Sequence, residues 1–203
     1  MSLSQRFFAH TLAWGDDAQR RLYGDHKRDL FAGLEGTVVE IGPGTGVNLP
    51  YLPEGLRWIG LEPNPHMHSY IRDRLEGRAL DAEVRTDPAQ DTGLADDSVD
   101  AVISTLVLCS VPDVPATLAE LRRILRPGGR LLFIEHVAAE QHTPLCWVQH
   151  GIRPFWRAVA DGCRPDRTTG VQLQRAGFST VEFERFDIGV PPVSPHIMGT
   201  ATT

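Results

Sequence analysis

Apolar residues along this chain follow two rhythms. Short dense runs, bounded by glycine, proline or an acid, alternate with stretches where apolar positions recur every three or four residues among charges. The dense runs read as strands: TVVEIG (37–42), RWIGLEP (57–63), LDAEVRT (80–86), SVDAVISTLVL (98–108) and RLLFIEHVA (130–138). NPHMHSYIRDRLE (64–76) and DVPATLAELRRILRPGG (113–129) have helical spacing. Asn64 is placed to cap the first and Pro65 to open it, while Pro127 and two glycines end the second. Residues 4–34 mix spaced apolar positions with many charges, as one or two amphipathic helices do. Strands alternating with helices predict an α/β fold, a parallel sheet covered on both faces.

After His142 the rhythm changes. A less regular stretch rich in aromatics and prolines runs to about Arg167. A helix, TGVQLQRAGF (169–178), follows, then two strand-like runs, TVEFERFDI (180–188) and PHIMGTATT (195–203). No internal repeat, low-complexity tract or linker interrupts the chain. The expectation is one domain over 1–203, with an N-terminal helical segment at 1–34 and a variable segment at 139–178.

Composition narrows the class. At 203 residues the chain is long enough for one sizeable core and short for two. A net charge of -6 argues against a general affinity for nucleic acid. Cys109, Cys146 and Cys163 form no CxxC and no Cys/His zinc spacing, so reduced thiols in a cytoplasmic compartment are expected. The longest apolar run, AVISTLVLCSV (101–111), is too short to span a bilayer, and the N-terminus lacks a signal-peptide layout. No stable membrane anchor is therefore expected.

The candidate chemistry begins at VVEIGPGTG (38–46). Gly42, Gly44 and Gly46 follow the first strand, at the expected turn into a first helix. In open α/β sheets ligands bind at the carboxyl ends of the strands, and glycines there permit a tight turn and a close approach of ligand to backbone. A ligand-free glycine turn is the plainer alternative. The spacing is GxGxG rather than the GxGxxG of dinucleotide sites, and no Gly-Lys-Ser/Thr follows for a phosphate loop. Glu40 would repel a pyrophosphate but suits a cationic amino-acid head, held directly or through water. Glu62, at the end of the second strand, can accept hydrogen bonds from both hydroxyls of a ribose. A ribose joined to a cationic head points to S-adenosylmethionine.

Four segments, VVEIGPGTG, GLEPNP, DDSVDAVIS and LRPGGRLLFIEH, resemble in order and spacing the motifs of class I S-adenosylmethionine-dependent methyltransferases. A closer resemblance, over roughly residues 25–201, is to the methyltransferase-like family of alkyl thiol S-methyltransferases. It rests on KRDLF (27–31), TLVLCSV (105–111), EHVAAE (135–140), DGC (161–163) with Arg167, and PHIMGTA (195–201). Eukaryotic members carry an N-terminal hydrophobic membrane anchor, a feature that does not carry over to this sequence. The resemblance implies a Rossmann-like sheet of order 3-2-1-4-5-7-6 with an antiparallel last hairpin. It implies that Glu40, Gly42, Gly44, Gly46 and Asn48 hold the methionine end and Glu62 the ribose. Pro63 and Asn64 would lie beside the adenine, Asp87 would bond its amine and Ala89 would offer a backbone N–H. Thr105 and Leu106 would border the sulfonium.

Methyl transfer from a sulfonium is an in-line displacement that needs alignment and a dry cleft more than activation. A thiol acceptor, with a free pKa of about 8.5, needs little base catalysis. His136, closing the fifth strand, is the first candidate for an acceptor-side role, against the alternative of a hydrogen-bonded strand-end histidine. Asp161 is the second, against a turn-capping role. His196 is a third side chain that could face the cleft. His66 and His68, two apart on a helix, do not share a face and read as surface residues rather than metal ligands. Cys109 reads as core packing. Trp147, Phe155 and Trp156 are either core or an apolar acceptor pocket, which favours a lipophilic substrate. Methylation at O, N or C, on a quinone precursor or phospholipid headgroup, fits the generic motifs equally. A cofactor-binding regulator without catalysis and a nicotinamide-dependent oxidoreductase are further alternatives, disfavoured by the intact Glu62 and by the glycine spacing respectively.

Overall fold

The computed structural model describes residues 3–203, so Met1 and Ser2 of the expected N-terminal segment lie outside it. The chain runs α1 (Leu3–Trp14), α2 (Asp16–Phe31), β1 (Thr37–Ile41), β2 (Arg57–Leu61), α3 (His68–Leu75), β3 (Asp81–Arg85), β4 (Val99–Thr105), α4 (Val114–Ile124), β5 (Leu125–His136), α5 (Pro144–Val159), α6 (Thr169–Arg175), β6 (Thr180–Asp187) and β7 (Pro195–Thr202). The seven strands form one sheet of order β3-β2-β1-β4-β5-β7-β6. β7 is antiparallel to both neighbours and the other pairings are parallel. This is the expected Rossmann-like α/β architecture. Strand order reverses between β1 and β4, which opens a crevice at their carboxyl ends.

The central strands are dense in Val, Ile and Leu because both of their faces are covered. On one face Val39, Ile41, Ile59, Val102 and Phe133 pack with Leu118 and Leu121 of α4. On the other, Val38, Trp58, Ile103 and Leu132 pack with Phe31 of α2 and Ile71 of α3. Trp58 is fully buried, and its Nε1–H donates to Glu40 at 2.9 Å. A Cβ on Gly60 would stand 2.3 Å from the Trp58 ring, so glycine there makes room for the indole.

The structure differs from the sequence expectation at four places. β1 leads into a short 3-10 turn, Leu49–Tyr51, rather than a helix. Pro50 lies inside that turn and Pro53 just after it, and prolines cannot donate the hydrogen bonds that would extend it. α3 begins at His68 rather than beside Asn64, whose Oδ1 instead accepts the His66 N–H at 3.1 Å and closes a turn. α4 stops at Ile124, and the Leu-Arg-Pro-Gly-Gly segment already belongs to β5.

The largest difference is α5, which occupies the stretch expected to be irregular. Thr143 caps it by accepting the Cys146 N–H, and Pro144 opens it. Its inward face mixes Cys146, Ile152 and Trp156 with a buried amide. Gln149 is buried and ties the helix inward, accepting from Ala139 N–H at 2.8 Å and donating to the Pro192 carbonyl at 2.8 Å. Trp147 and Phe155 point outward, 67% and 69% exposed. With apolar residues outside and an internal Pro154, the stretch does not read as a helix packed on a core.

Candidate functional site

A cavity of about 420 Å³ lies at the carboxyl ends of β1, β2 and β4, a size suited to a small organic ligand. One part of its wall is the glycine loop, the end of β2 and residues 88–90. The other part is the turn after β4, with Leu106, Val107, Ser110 and Val111, and Asp161 from the α5–α6 loop. Phe8 and Leu12 of α1 complete it. The N-terminal helices are pinned there by Asp16, which pairs with Arg74 and accepts from Thr45 Oγ1 at 2.8 Å.

The first part is built from backbone. Gly42 and Gly44 have φ of +54° and +57°, the left-handed region that glycine adopts freely. A Cβ at Gly42 would stand 2.8 Å from the Val107 side chain, and one at Gly44 3.1 Å from Leu12. The Gly44 N–H donates to Glu62 Oε2 and the Asn64 N–H to Glu62 Oε1, both at 2.9 Å. Each oxygen of Glu62 keeps acceptor capacity for a further donor. Burial pushes the Glu62 carboxyl up, and these two N–H groups oppose the shift.

Asn48 presents the other polar feature. Its Nδ2 donates to Glu40 Oε1 at 2.8 Å and Thr105 Oγ1 at 3.0 Å. Its Oδ1 is buried without a hydrogen-bond partner, an acceptor available to a cationic group. Glu40 fixes this orientation, since its second oxygen is occupied by Trp58. Burial pushes Glu40 up to about 7 against the bonds from Trp58 and Asn48. The buried Lys27 is pushed down to about 8 by burial, against the attraction of Glu40 and Asp16.

Ten of the expected site residues line this cavity: Gly42, Gly44, Asn48, Glu62, Pro63, Asn64, Ala89, Thr105, Leu106 and Asp161. Four do not. Glu40 stands behind Asn48 with both oxygens engaged. Gly46 faces Leu49 and Ile71. Asp87 turns to Arg85 Nε at 2.8 Å, and Ala89 and Gln90 reach the wall in its place. His136, expected at the cleft rim, is buried behind it, with Nε2 3.0 Å from Cys163 Sγ and Nδ1 without a hydrogen-bond partner. His196 is also buried, bonded to the Tyr23 hydroxyl at 2.8 Å. Trp147 and Phe155 lie outside the cavity, while Trp156 donates from Nε1 to Cys163 Sγ at 3.3 Å. His68 bonds the Glu62 carbonyl at 2.8 Å.

Two organising residues, Glu135 and Arg167, stand in the quoted motifs, but their roles are not legible there. Glu135 is fully buried, and its Oε1 accepts from Ser104 Oγ at 2.6 Å and from the Val107 and Leu108 N–H groups at 3.1 Å each. Burial pushes its carboxyl up. A glutamate inside the apolar run LLFIEH was the available cue. Arg167 donates through Nη1 to the Leu108 and Val111 carbonyls, both at 2.7 Å. Together they shape the turn in which Leu106 holds φ of +59°.

Comparison with known proteins matches this geometry. A methyltransferase-domain family model matches residues 39–133. The thiol S-methyltransferase TMT1B of Homo sapiens is 37% identical over 212 residues, covering 98% of this chain and 87% of that protein. The thiol S-methyltransferase TMT1A of Homo sapiens is 37% identical over 188 residues, covering 86% and 77%. Among solved structures, a methyltransferase from Thermotoga maritima superposes with a TM-score of 0.71 at 21% identity, covering 100% of this chain and 99% of that one, a likeness of fold. No helix among the described residues is long and apolar enough to cross a membrane. The glycine loop, the paired acceptors of Glu62 and the free Asn48 oxygen fit the cofactor that such folds take, and the chain belongs to the class I S-adenosylmethionine-dependent methyltransferases, a homologue of the thiol S-methyltransferases that acts on a small molecule with S-adenosylmethionine as its cofactor.

Proposed function

We propose that this enzyme methylates small lipophilic thiols at sulfur. The observation that carries the reading is the extent of the likeness to the thiol S-methyltransferases, which runs through the acceptor side as well as the cofactor motifs. The cavity supports it. Leu106, Val107, Val111, Phe8 and Leu12 make its walls largely apolar, and its ionisable lining groups are Asp16, Glu62 and Asp161.

Bound S-adenosylmethionine supplies an activated methyl group on a sulfonium. The chain's own residues hold and align. Glu62 takes the ribose hydroxyls and Asn48 Oδ1 takes the ammonium of the amino-acid end. Residues 88–90 flank the adenine, and Thr105 and Leu106 border the reacting centre. Asp16 and Glu62 are already engaged by Arg74, Thr45 and backbone donors. Asp161 is the lining carboxylate left to orient an acceptor or take its proton. A thiol, partly ionised near neutral pH and intrinsically nucleophilic, suits so sparse a site better than a phenol of pKa near about 10.

The test is a panel of alkyl thiols, phenols and amines with labelled donor. S-methyl product and S-adenosylhomocysteine should form in equal amounts from the thiols. Asp161→Asn should lower kcat/KM by roughly tenfold to a hundredfold while product binding by calorimetry is retained. Robust turnover of a phenol, amine or quinone precursor with none on any thiol would establish the O-, N- or C-methylating alternative.

A further inference from the structure

Behind the acceptor wall, three soft donors converge from distant parts of the chain. Cys109 follows β4, His136 ends β5 and Cys163 lies in the α5–α6 loop. Their ligand atoms all lie within 4.8 Å of one another, and all three residues are buried. We propose that Cys109, His136 and Cys163 form a binding site for a thiophilic divalent cation of the zinc type.

The donor set selects the ion. Two sulfurs and an imidazole suit zinc and its soft relatives, whereas calcium and magnesium require oxygen ligands. Zinc sits about 2.3 Å from thiolate sulfur and about 2.0–2.1 Å from imidazole nitrogen. Tetrahedral donors around it are then separated by roughly 3.5–3.8 Å. His136 Nε2 and Cys163 Sγ are 3.0 Å apart and no two of the donors are further apart than 4.8 Å, so ligation needs shifts of about 1 Å or less, that pair outward and any wider pair inward. Two thiolates neutralise a divalent charge, which matters where burial makes uncompensated charge costly. The thiols give up their protons to solvent on binding, and the imidazole binds in its neutral form. Three protein ligands leave a fourth position for water or an exogenous donor.

Part of an outer shell is in place, on the sulfur side; His136 Nδ1 has no hydrogen-bond partner. Trp156 Nε1–H points at Cys163 Sγ, and such N–H donors fix the orientation of ligating sulfur. Cys109 Sγ lies 3.5 Å from Ser110 Oγ. The site is distinct from the cavity, since none of its three ligands lines that space. It is coupled to it through the chain, because Ser110 adjoins Cys109 and Asp161 precedes Cys163 by two residues, and both line the cavity. A bound ion would fasten those two wall segments to the end of β5. The ligands stand far apart in sequence, so no local spacing announces them.

The test uses the full chain, reduced with a metal-free phosphine and stripped by chelator, titrated with Co²⁺ and then Zn²⁺. One Co²⁺ per chain should bind, giving a thiolate-to-cobalt charge-transfer band and the visible bands of a tetrahedral site, and Zn²⁺ should bleach both. Cys109→Ser and Cys163→Ser should each weaken Zn²⁺ affinity by about a hundredfold or more, beyond the 10–100-fold typical of an outer-shell partner. Cys146→Ser, outside the cluster, should leave the spectrum unchanged. S-adenosylhomocysteine binding by calorimetry certifies that each variant is folded. No charge-transfer band in the reduced wild-type protein, or an equal band in the folded Cys109→Ser and Cys163→Ser variants, would overturn the proposal.

Discussion

The two sides of the cavity are made differently. The cofactor side is made largely of backbone, with two glycines, a carboxylate just past the end of the next strand, and N–H groups already aimed at it. The acceptor side is assembled from the turn after β4, the end of β5, the α5–α6 loop and β7, and its polar side chains mostly face one another rather than the cavity. Glu135, Arg167, His136 and Cys163 are all occupied in holding these segments together. A side built of backbone should fail by losing its ligand. A side built of interlocked side chains should fail by losing its structure.

The sharpest test of that contrast is Gly44→Val. A β-branched residue is strained at φ of +57°, and its Cβ would meet Leu12. Calorimetry with S-adenosylhomocysteine should show affinity reduced by about a thousandfold, roughly 4 kcal/mol. Retained binding would mean that the loop can rearrange, and the rigid cofactor side would have to be abandoned. On the other side, Glu135→Ala strands the Ser104 hydroxyl and two backbone N–H groups. At about 1–3 kcal/mol for each buried orphan, denaturant unfolding should show a loss of about 3 kcal/mol or more. An unchanged midpoint would show that water or a local shift replaces the carboxylate.

The third test is the most gradual, since it spreads its effect over a range of pH. Glu40 ionises near 7 in the folded protein and near its ordinary 4.5 when unfolded. Between those values the folded state keeps a proton that the unfolded chain has released. Stability should therefore fall as pH rises from about 4.5 to 7, by up to about 1.4 kcal/mol per pH unit from this group, and be indifferent to it above 7. Urea unfolding of wild type against Glu40→Gln should show that component vanish in the variant. Identical pH profiles would place the titration elsewhere.

The same contrast explains what could be read in the sequence. Strand existence and the glycine-loop, ribose-acid pairing depend on short-range period and spacing, whereas the sheet order is implied by the family resemblance; Gly42, Gly44, Asn48 and Glu62 lie on the cavity. His136 was placed at the correct strand end but on the wrong side of the wall. Where a strand-end side chain turns depends on its neighbours, here Cys163 and the His196 ring 6.2 Å away. Glu40 reads from the sequence as a group that meets the ligand directly or through water, whereas its carboxylate is taken up by the Asn48 amide and the Trp58 indole, contacts that only the tertiary fold supplies. α5 escaped because apolar residues lie on both of its faces: Gln149 is a buried polar anchor beside Cys146, while Trp147 and Phe155 face out.

β7 carries a consequence for how the protein is made. It joins the sheet between β5 and β6, pairing Thr202 with Arg130 and His196 with His136. A growing chain therefore exposes the unpaired edge of β5, with Leu131, Phe133 and their neighbours, until residues 195–202 have cleared the ribosome. Such late, non-local strand insertion is slow, because the intervening chain must close before any pairing is gained. The cofactor side can assemble during elongation. The acceptor side must wait until residues 195–202 have emerged, and the interval between the two is when a nascent chain most needs protection from its neighbours.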